Sequence, residues 1–179
     1  LSWKLDAAAR AEALLAAADA VDAAAGELGP LLTAEQGKPV AQAITEAKGV
    51  ALSLRHFAKL DLPREVIQDD ERVFAEVVRR PIGVVAAITP WNFPLSMAAW
   101  KFAPALRAGN TVVVKPSPYT PLATLRLGEV LRDALPPGVL NIVSGSDELG
   151  GWVTSHPLVR KITFTGSVAT GKKVMAAAA

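Results

Sequence analysis

The sequence predicts an α/β fold: a doubly wound parallel sheet of the Rossmann-like kind, with N-terminal helices and an antiparallel arm ahead of it. Three observations predict it. From residue 82, short apolar runs rich in Val, Ile and Thr alternate with longer stretches of helical period. Those runs are continuously apolar, so each strand is expected to be covered on both faces, as in a parallel sheet. The first 62 residues, by contrast, read as long alanine-rich helices.

Residues 5–28 read as a helix because Leu14, Ala18, Val21, Ala25 and Leu28 recur on one face. Asp6 is placed to cap its start. Gly29-Pro30 is expected to break it, leaving a short helix, "LLTAEQ", that leads to Gly37. Pro39 stands at a favoured first position for a second long helix, "VAQAITEAKGVALSLRHFAKL", which Leu62-Pro63 ends. "REVIQDDERVFAEVVRR", residues 64–80, reads as an antiparallel hairpin turning at "DDE".

The alternating part follows. "IGVVAAIT" is a strand, with a helix after it from about Leu95 to Arg107. "TVVVK" (111–115) precedes the helix "TPLATLRLGEVLRDAL"; "VLNIV" (139–143) precedes "DELGGWVTSH"; "RKITFT" (160–165) precedes "SVATGKKVMAAAA". Crossovers of this type are right-handed and yield an open, doubly wound sheet. The chain therefore divides into helices at 1–62, an arm at 63–81 and a sheet region at 82–179.

Composition narrows the function. With 51% hydrophobic and 20% charged residues, 179 residues suffice for a sizeable core. The net charge is only +2, and the basic pairs Arg79-Arg80 and Lys172-Lys173 lack interleaved aromatics, which argues against nucleic acid as a partner. No segment has the length of a membrane span. His56 and His156 have no partner at metal-ligand spacing, so no metal is expected. The absence of cysteine removes disulfides, thiolate metal sites and a cysteine nucleophile from this chain. It fits a reducing compartment, and a cytoplasmic location is the expectation. Leu1 is not Met, and "GKKVMAAAA" stops inside a helical run, so the chain is expected to be a fragment of a longer one.

In doubly wound sheets, ligands bind beyond the carboxyl ends of the strands. Four such ends carry candidates: Thr89–Phe93, Lys115–Ser117, Ser144–Gly145 and Gly166–Gly171. "GSVATGKK" nearly matches the P-loop, but Lys173 stands where a hydroxyl should hold Mg²⁺. The better reading is a helix start whose free N–H groups meet a pyrophosphate, with Ser167 adding a hydroxyl. Lys115 is either a strand-end lysine snorkelling to solvent or a cation for ribose hydroxyls or phosphate. Asn92, in "TPWNFP", is either a helix cap or a functional carboxamide. Phe93, Met97 and Trp100 share one helical face, which is either core or the wall of an apolar channel leading to Asn92.

Together these stretches resemble the aldehyde dehydrogenase superfamily, in its NAD(P)-dependent, non-phosphorylating branch. "TPWNFPLSMAAWKFAPALRAGNTVVVKPSPYTP" is similar to the family's first strand-helix-strand unit, and "PPGVLNIVSG" and "KITFTGSVATG" to its next two strand ends, in the same order. The resemblance implies that Asn92 is one donor of an oxyanion hole and that Lys115 holds the adenosine ribose. It implies that Ile88, Thr89, Trp91, Gly145, Phe164, Gly166 and Ser167 line the dinucleotide site. Ser117 and Pro118 belong to the same rim. Phe93, Met97 and Trp100 match the aldehyde entrance, and residues 64–80 an arm pairing subunits of a homo-oligomer. NAD or NADP is the implied cofactor, and a small aldehyde the substrate. Relatives with strong NAD preference often carry Glu three residues after the lysine; here that residue is Pro118. The family's nucleophilic cysteine and general-base glutamate lie beyond the segment that "TFTGS" opens, so this chain is expected to be inactive alone. Two alternatives share these motifs: a non-catalytic dinucleotide-binding or subunit-pairing module, and a relative that passes the acyl group to coenzyme A.

Overall fold

The computed structural model describes residues 2–179, with only the backbone of Ser2. A single turn, α1 (Ser2–Leu5), precedes the long helix α2 (Ala7–Gln36). Asp6 caps α2 as its position predicts, its carboxylate accepting the Ala9 N–H at 2.9 Å. The expected break at Gly29-Pro30 does not occur, and the reason is tertiary. Gly29 lets α3 (Val40–Lys59) come so near that a Cβ there would lie 2.4 Å from Ile44 Cγ1 and 2.9 Å from the Ile44 backbone N. Leu28 and Leu32, on either side of Pro30, are fully buried. Their burial offsets the one backbone hydrogen bond that Pro30 cannot donate. The helix ends instead at Gly37, whose φ of 81° suits glycine and whose N–H returns to the Thr33 carbonyl at 2.8 Å. Pro39 stands just before α3 and not at its first position.

The arm is β1 (Glu65–Asp69) paired antiparallel with β2 (Phe74–Val77). Asp70 closes its turn by accepting the N–H groups of Arg72 and Val73 at 2.8 and 2.9 Å. Val66, Ile67 and Phe74 are exposed on it.

β3 (Val84–Ile88), β4 (Thr111–Lys115), β5 (Leu140–Ile142) and β6 (Val159–Phe164) form a fully parallel sheet in the order β5-β4-β3-β6. The helices between and after them are α4 (Pro94–Arg107), α5 (Leu122–Val130), α6 (Asp147–Ser155) and α7 (Val168–Ala178). Val85, Ala87, Val112 and Val114 face the core shared with Phe102, Leu106 and Leu127, and behind these with Leu14, Val21 and Leu54 of the long helices. The chain steps outward from β3 to β5, then returns to lay β6 along the other side of β3. That reversal puts a switch point between β3 and β6, where the two crossovers diverge and a crevice opens. In register, Ile88 stands beside Lys115 on one side and Phe164 on the other, so three strands end level at the crevice.

Candidate functional site

A cleft of about 1140 Å³ lies at that point. Of the residues expected to serve there, Ile88, Thr89, Trp91, Asn92, Lys115, Ser117, Pro118, Phe164, Gly166 and Ser167 line it. Gly145 adjoins it through Ser146. Lys115 comes from β4, Phe164 from β6, and Asn92 from the segment joining β3 to α4.

Lys115 is only 4% exposed, so it does not snorkel to solvent. Its ammonium makes one hydrogen bond, to the Pro116 carbonyl at 3.3 Å, and has no carboxylate within ion-pair range among the described residues. Burial pulls its pKa below the ordinary lysine value, and Asp147, in the first turn of α6, opposes that pull. Two of its three donors are left to the cleft. Gly166 presents bare backbone: a Cβ there would come within 2.6 Å of the Phe164 ring.

Asn92 is not a helix cap. The residue at the N-cap of α4 is Phe93, which supplies no side-chain bond. The free N–H groups of Leu95 and Ser96 are taken by Glu46 Oε1, from α3, at 3.0 and 3.1 Å. α5 is served the same way: its N-cap, Pro121, gives no side-chain bond, and Glu35 accepts the N–H groups of Leu122 and Ala123. Carboxylates so placed also meet the positive end of each helix dipole. The Asn92 carboxamide has no hydrogen-bond partner among the described residues and stands exposed at the cleft.

Ser167 does act as a cap. Its hydroxyl accepts the Thr170 N–H at 3.2 Å, and α7 begins at Val168. "GSVATGKK" is therefore mostly the first turns of a helix and not a phosphate-wrapping loop, which removes the P-loop reading. Phe93, Met97 and Trp100 are not among the residues that line the cleft. Phe93 is 48% exposed over a cavity of about 510 Å³ shared with Gly49 and Ser96, and Trp100 is 59% exposed beside Leu52, His56 and Phe57. Phe93 and Trp100 thus border α3 at its seam with α4 and are not core, and Met97 is half-buried. Lys101 of α4 donates to Thr165 Oγ1 at 2.7 Å at the cleft's rim. Sequence reasoning missed Tyr119, Ser146, Asp147, Glu148 and Thr165 as lining residues. "SDE" directly after a strand end was the available signal for Asp147 and Glu148, since acidic residues favour a helix's first turn. No group of His, Asp and Glu able to hold a metal occurs among the described residues. No helix described is long and apolar enough to cross a membrane.

The model of the aldehyde dehydrogenase family matches residues 2–179. The mitochondrial succinate-semialdehyde dehydrogenase of Arabidopsis thaliana is 44% identical over 99% of the chain and 35% of its own length. The crystal structure of an NADP-dependent enzyme of E. coli superposes with a TM-score of 0.94 at 40% identity, over 99% of this chain and 38% of that one. The structure of PnpE in complex with nicotinamide adenine dinucleotide gives 0.94 at 41%, over 98% and 37%. The chain belongs to the aldehyde dehydrogenase family. It spans somewhat over a third of the length of the relatives it matches.

Proposed function

We propose that the complete protein oxidises an aldehyde to a carboxylic acid with NAD or NADP as acceptor. In this reading the present segment supplies the dinucleotide site and one donor of the oxyanion hole. The observation that carries the proposal is the free Asn92 carboxamide at the cleft, its capping role already filled by Glu46.

The cleft suits a dinucleotide on two counts. Lys115 is a buried cation with donors to spare for ribose hydroxyls. Gly166 opens backbone to close approach where any side chain would meet Phe164. The bound dinucleotide supplies a hydride acceptor. Ile88, Trp91 and Phe164 offer apolar surface to its rings, and Thr89, Ser117 and Gly145 complete the walls. Pro118 itself offers the ribose no carboxylate.

Asn92 acts on the aldehyde. When a nucleophile adds to the carbonyl, charge gathers on oxygen, and a fixed amide N–H stabilises that charge without trading a proton. The nucleophile proposed is a cysteine thiolate, which forms a thiohemiacetal and then a thioester for water to cleave. These 179 residues contain no cysteine, so the thiolate must come from elsewhere in the protein, and the segment alone is proposed to be inactive. Phe93, Met97 and Trp100 are proposed to flank the aldehyde's entrance. The exposed apolar residues of the arm support pairing of subunits, since a lone hairpin is marginal in water. The division into helices, arm and cofactor region belongs to the same proposal, as does a cytoplasmic location.

The test is direct. The complete protein, given NAD⁺ or NADP⁺ and a panel of aldehydes, should form reduced nicotinamide and acid in equal amounts. Dinucleotide binding with no turnover on any aldehyde would instead favour a non-catalytic module. Reduction that requires coenzyme A and yields no free acid would favour the acylating relative.

A further inference from the structure

We propose that Gln36, Lys38 and Glu46 are positioning residues for the Asn92 carboxamide; the proposal rests on Asn92 being the oxyanion donor. An oxyanion hole works only if its donor already stands in place when charge develops. Asn92 sits in an irregular segment between β3 and α4, and nothing bonds its side chain among the described residues. Its orientation must therefore be set through its backbone.

The backbone is held on both sides. Gln36 Nε2 donates to the Trp91 carbonyl and to the Asn92 carbonyl, each at 2.8 Å. Lys38 Nζ donates to the Asn92 carbonyl at 2.9 Å. The peptide units before and after the Asn92 Cα are thus both fixed, which fixes the direction of its Cα–Cβ bond and leaves only the side-chain torsions free.

Lys38 is itself immobilised. Its ammonium bonds to Glu46 Oε2 and lies 3.9 Å from the centre of the Phe93 ring. The side chains of the pair are 9% and 2% exposed. The other oxygen of Glu46 holds the N–H groups of Leu95 and Ser96. One buried carboxylate therefore ties the cation to the start of the helix that follows Asn92. Gln36 and Lys38 reach the same segment because they flank Gly37, where the left-handed turn ends α2. A buried ion pair is a poor source of net stability, because desolvation consumes most of its attraction. Among the described residues, every hydrogen bond of this pair goes to residues 92–96 or runs within the pair, which suits a device that sets geometry.

A double-mutant cycle in the complete protein separates positioning from plain structural support. Single-turnover hydride transfer is measured for Lys38→Met in the unmodified protein and in the Asn92→Ala background. The expected loss is on the order of tenfold in the first, with dinucleotide affinity within about twofold. In the second it is less than about twofold, because nothing remains to be positioned. Equal losses in both backgrounds overturn the proposal. Lys38→Met leaves Glu46 buried without its cation, so Gln36→Ala, which spares the ion pair, carries the same cycle if the first variant does not fold. A severalfold loss that vanishes with Asn92→Ala supports positioning; an additive loss, or no loss at all, overturns it. Failure of the underlying reading looks different: Asn92→Ala alone would then transfer hydride at the unmodified rate.

Discussion

Glu46 accepts the backbone N–H of Leu95 at 3.0 Å across 49 positions of sequence. A residue of α3 thus caps the helix that follows Asn92, and the asparagine is released from the role its residue type most often plays. Glu35 repeats the arrangement at the start of α5. The long N-terminal helices do more than cover the sheet: their carboxylates finish the two helices whose preceding segments form the cleft.

The contact between α2 and α3 gives a stability prediction with an internal control. Ala is a better helix former than Gly by about 1 kcal/mol. At Gly26 nothing lies within 4 Å of an added Cβ, so Gly26→Ala should stabilise by up to that amount. At Gly29 the new Cβ meets Ile44 Cγ1 and the Ile44 backbone N, and backbone cannot swing aside. Gly29→Ala should therefore cost roughly 1–3 kcal/mol net of its propensity gain. Thermal unfolding of both variants checks this; a Gly29→Ala protein melting as high as Gly26→Ala would show that the two helices are not so closely seated.

Lys115→Met should weaken NAD⁺ binding about tenfold to hundredfold, the loss of roughly 1.5–3 kcal/mol of charge-assisted hydrogen bonding. Burial lowers the Lys115 pKa from 10.5, so its charge is lost earlier than for an exposed lysine as pH rises. Affinity that depends on the charged form is full below the lowered pKa and declines as pH rises through it. Folding shows the opposite sense: the penalty of burying the ammonium is fully present below the lowered pKa and is relieved as pH climbs towards 10.5. Calorimetric titration across alkaline pH should show the decline in the unmodified protein and a flat profile in Lys115→Met. An unchanged affinity in the variant would remove Lys115 from the site.

Pro118 is exposed at the cleft and offers neither an acceptor for ribose hydroxyls nor repulsion of a 2′-phosphate. Measurable use of NADP⁺ should follow, with kcat/KM for NAD⁺ exceeding that for NADP⁺ by less than about 10⁴. Pro118→Glu should move the ratio towards NAD⁺ by about tenfold to hundredfold. A larger ratio in the unmodified protein, or no movement in the variant, would mean that another residue sets the preference.

Much of this was readable from local pattern. The runs at 84–88, 111–115 and 159–164 carry enough β-branched residues to declare strands, and their order with the intervening helices implies the parallel sheet. The strand ends then named most of the cleft. What local pattern could not give were contacts between distant segments. Gly29-Pro30 looks like a helix stop until Ile44 is packed against it. Phe93 and Trp100 share a helical face typical of core, yet that face borders the open seam with α3. Asn92 beside Pro94 looks like a cap because Glu46, which does the capping, stands on another helix. Gln36 and Lys38 carry no local signal, since each meets the Asn92 segment only in the folded chain.

The most direct test of the central claim is single-turnover hydride transfer by the complete protein carrying Asn92→Ala. Loss of an oxyanion donor should slow that step by roughly 10²–10³, about 2.7–4 kcal/mol of transition-state stabilisation. The aldehyde carries little charge before attack, so KM should change little. Because Glu46 and not Asn92 caps α4, the melting temperature should hold as well. Measuring one turnover keeps slow cofactor release from hiding the loss. The predicted result is a protein that melts like the original, binds dinucleotide like the original and transfers hydride at least a hundredfold more slowly. A variant that transfers hydride at the original rate would contradict the assignment of Asn92.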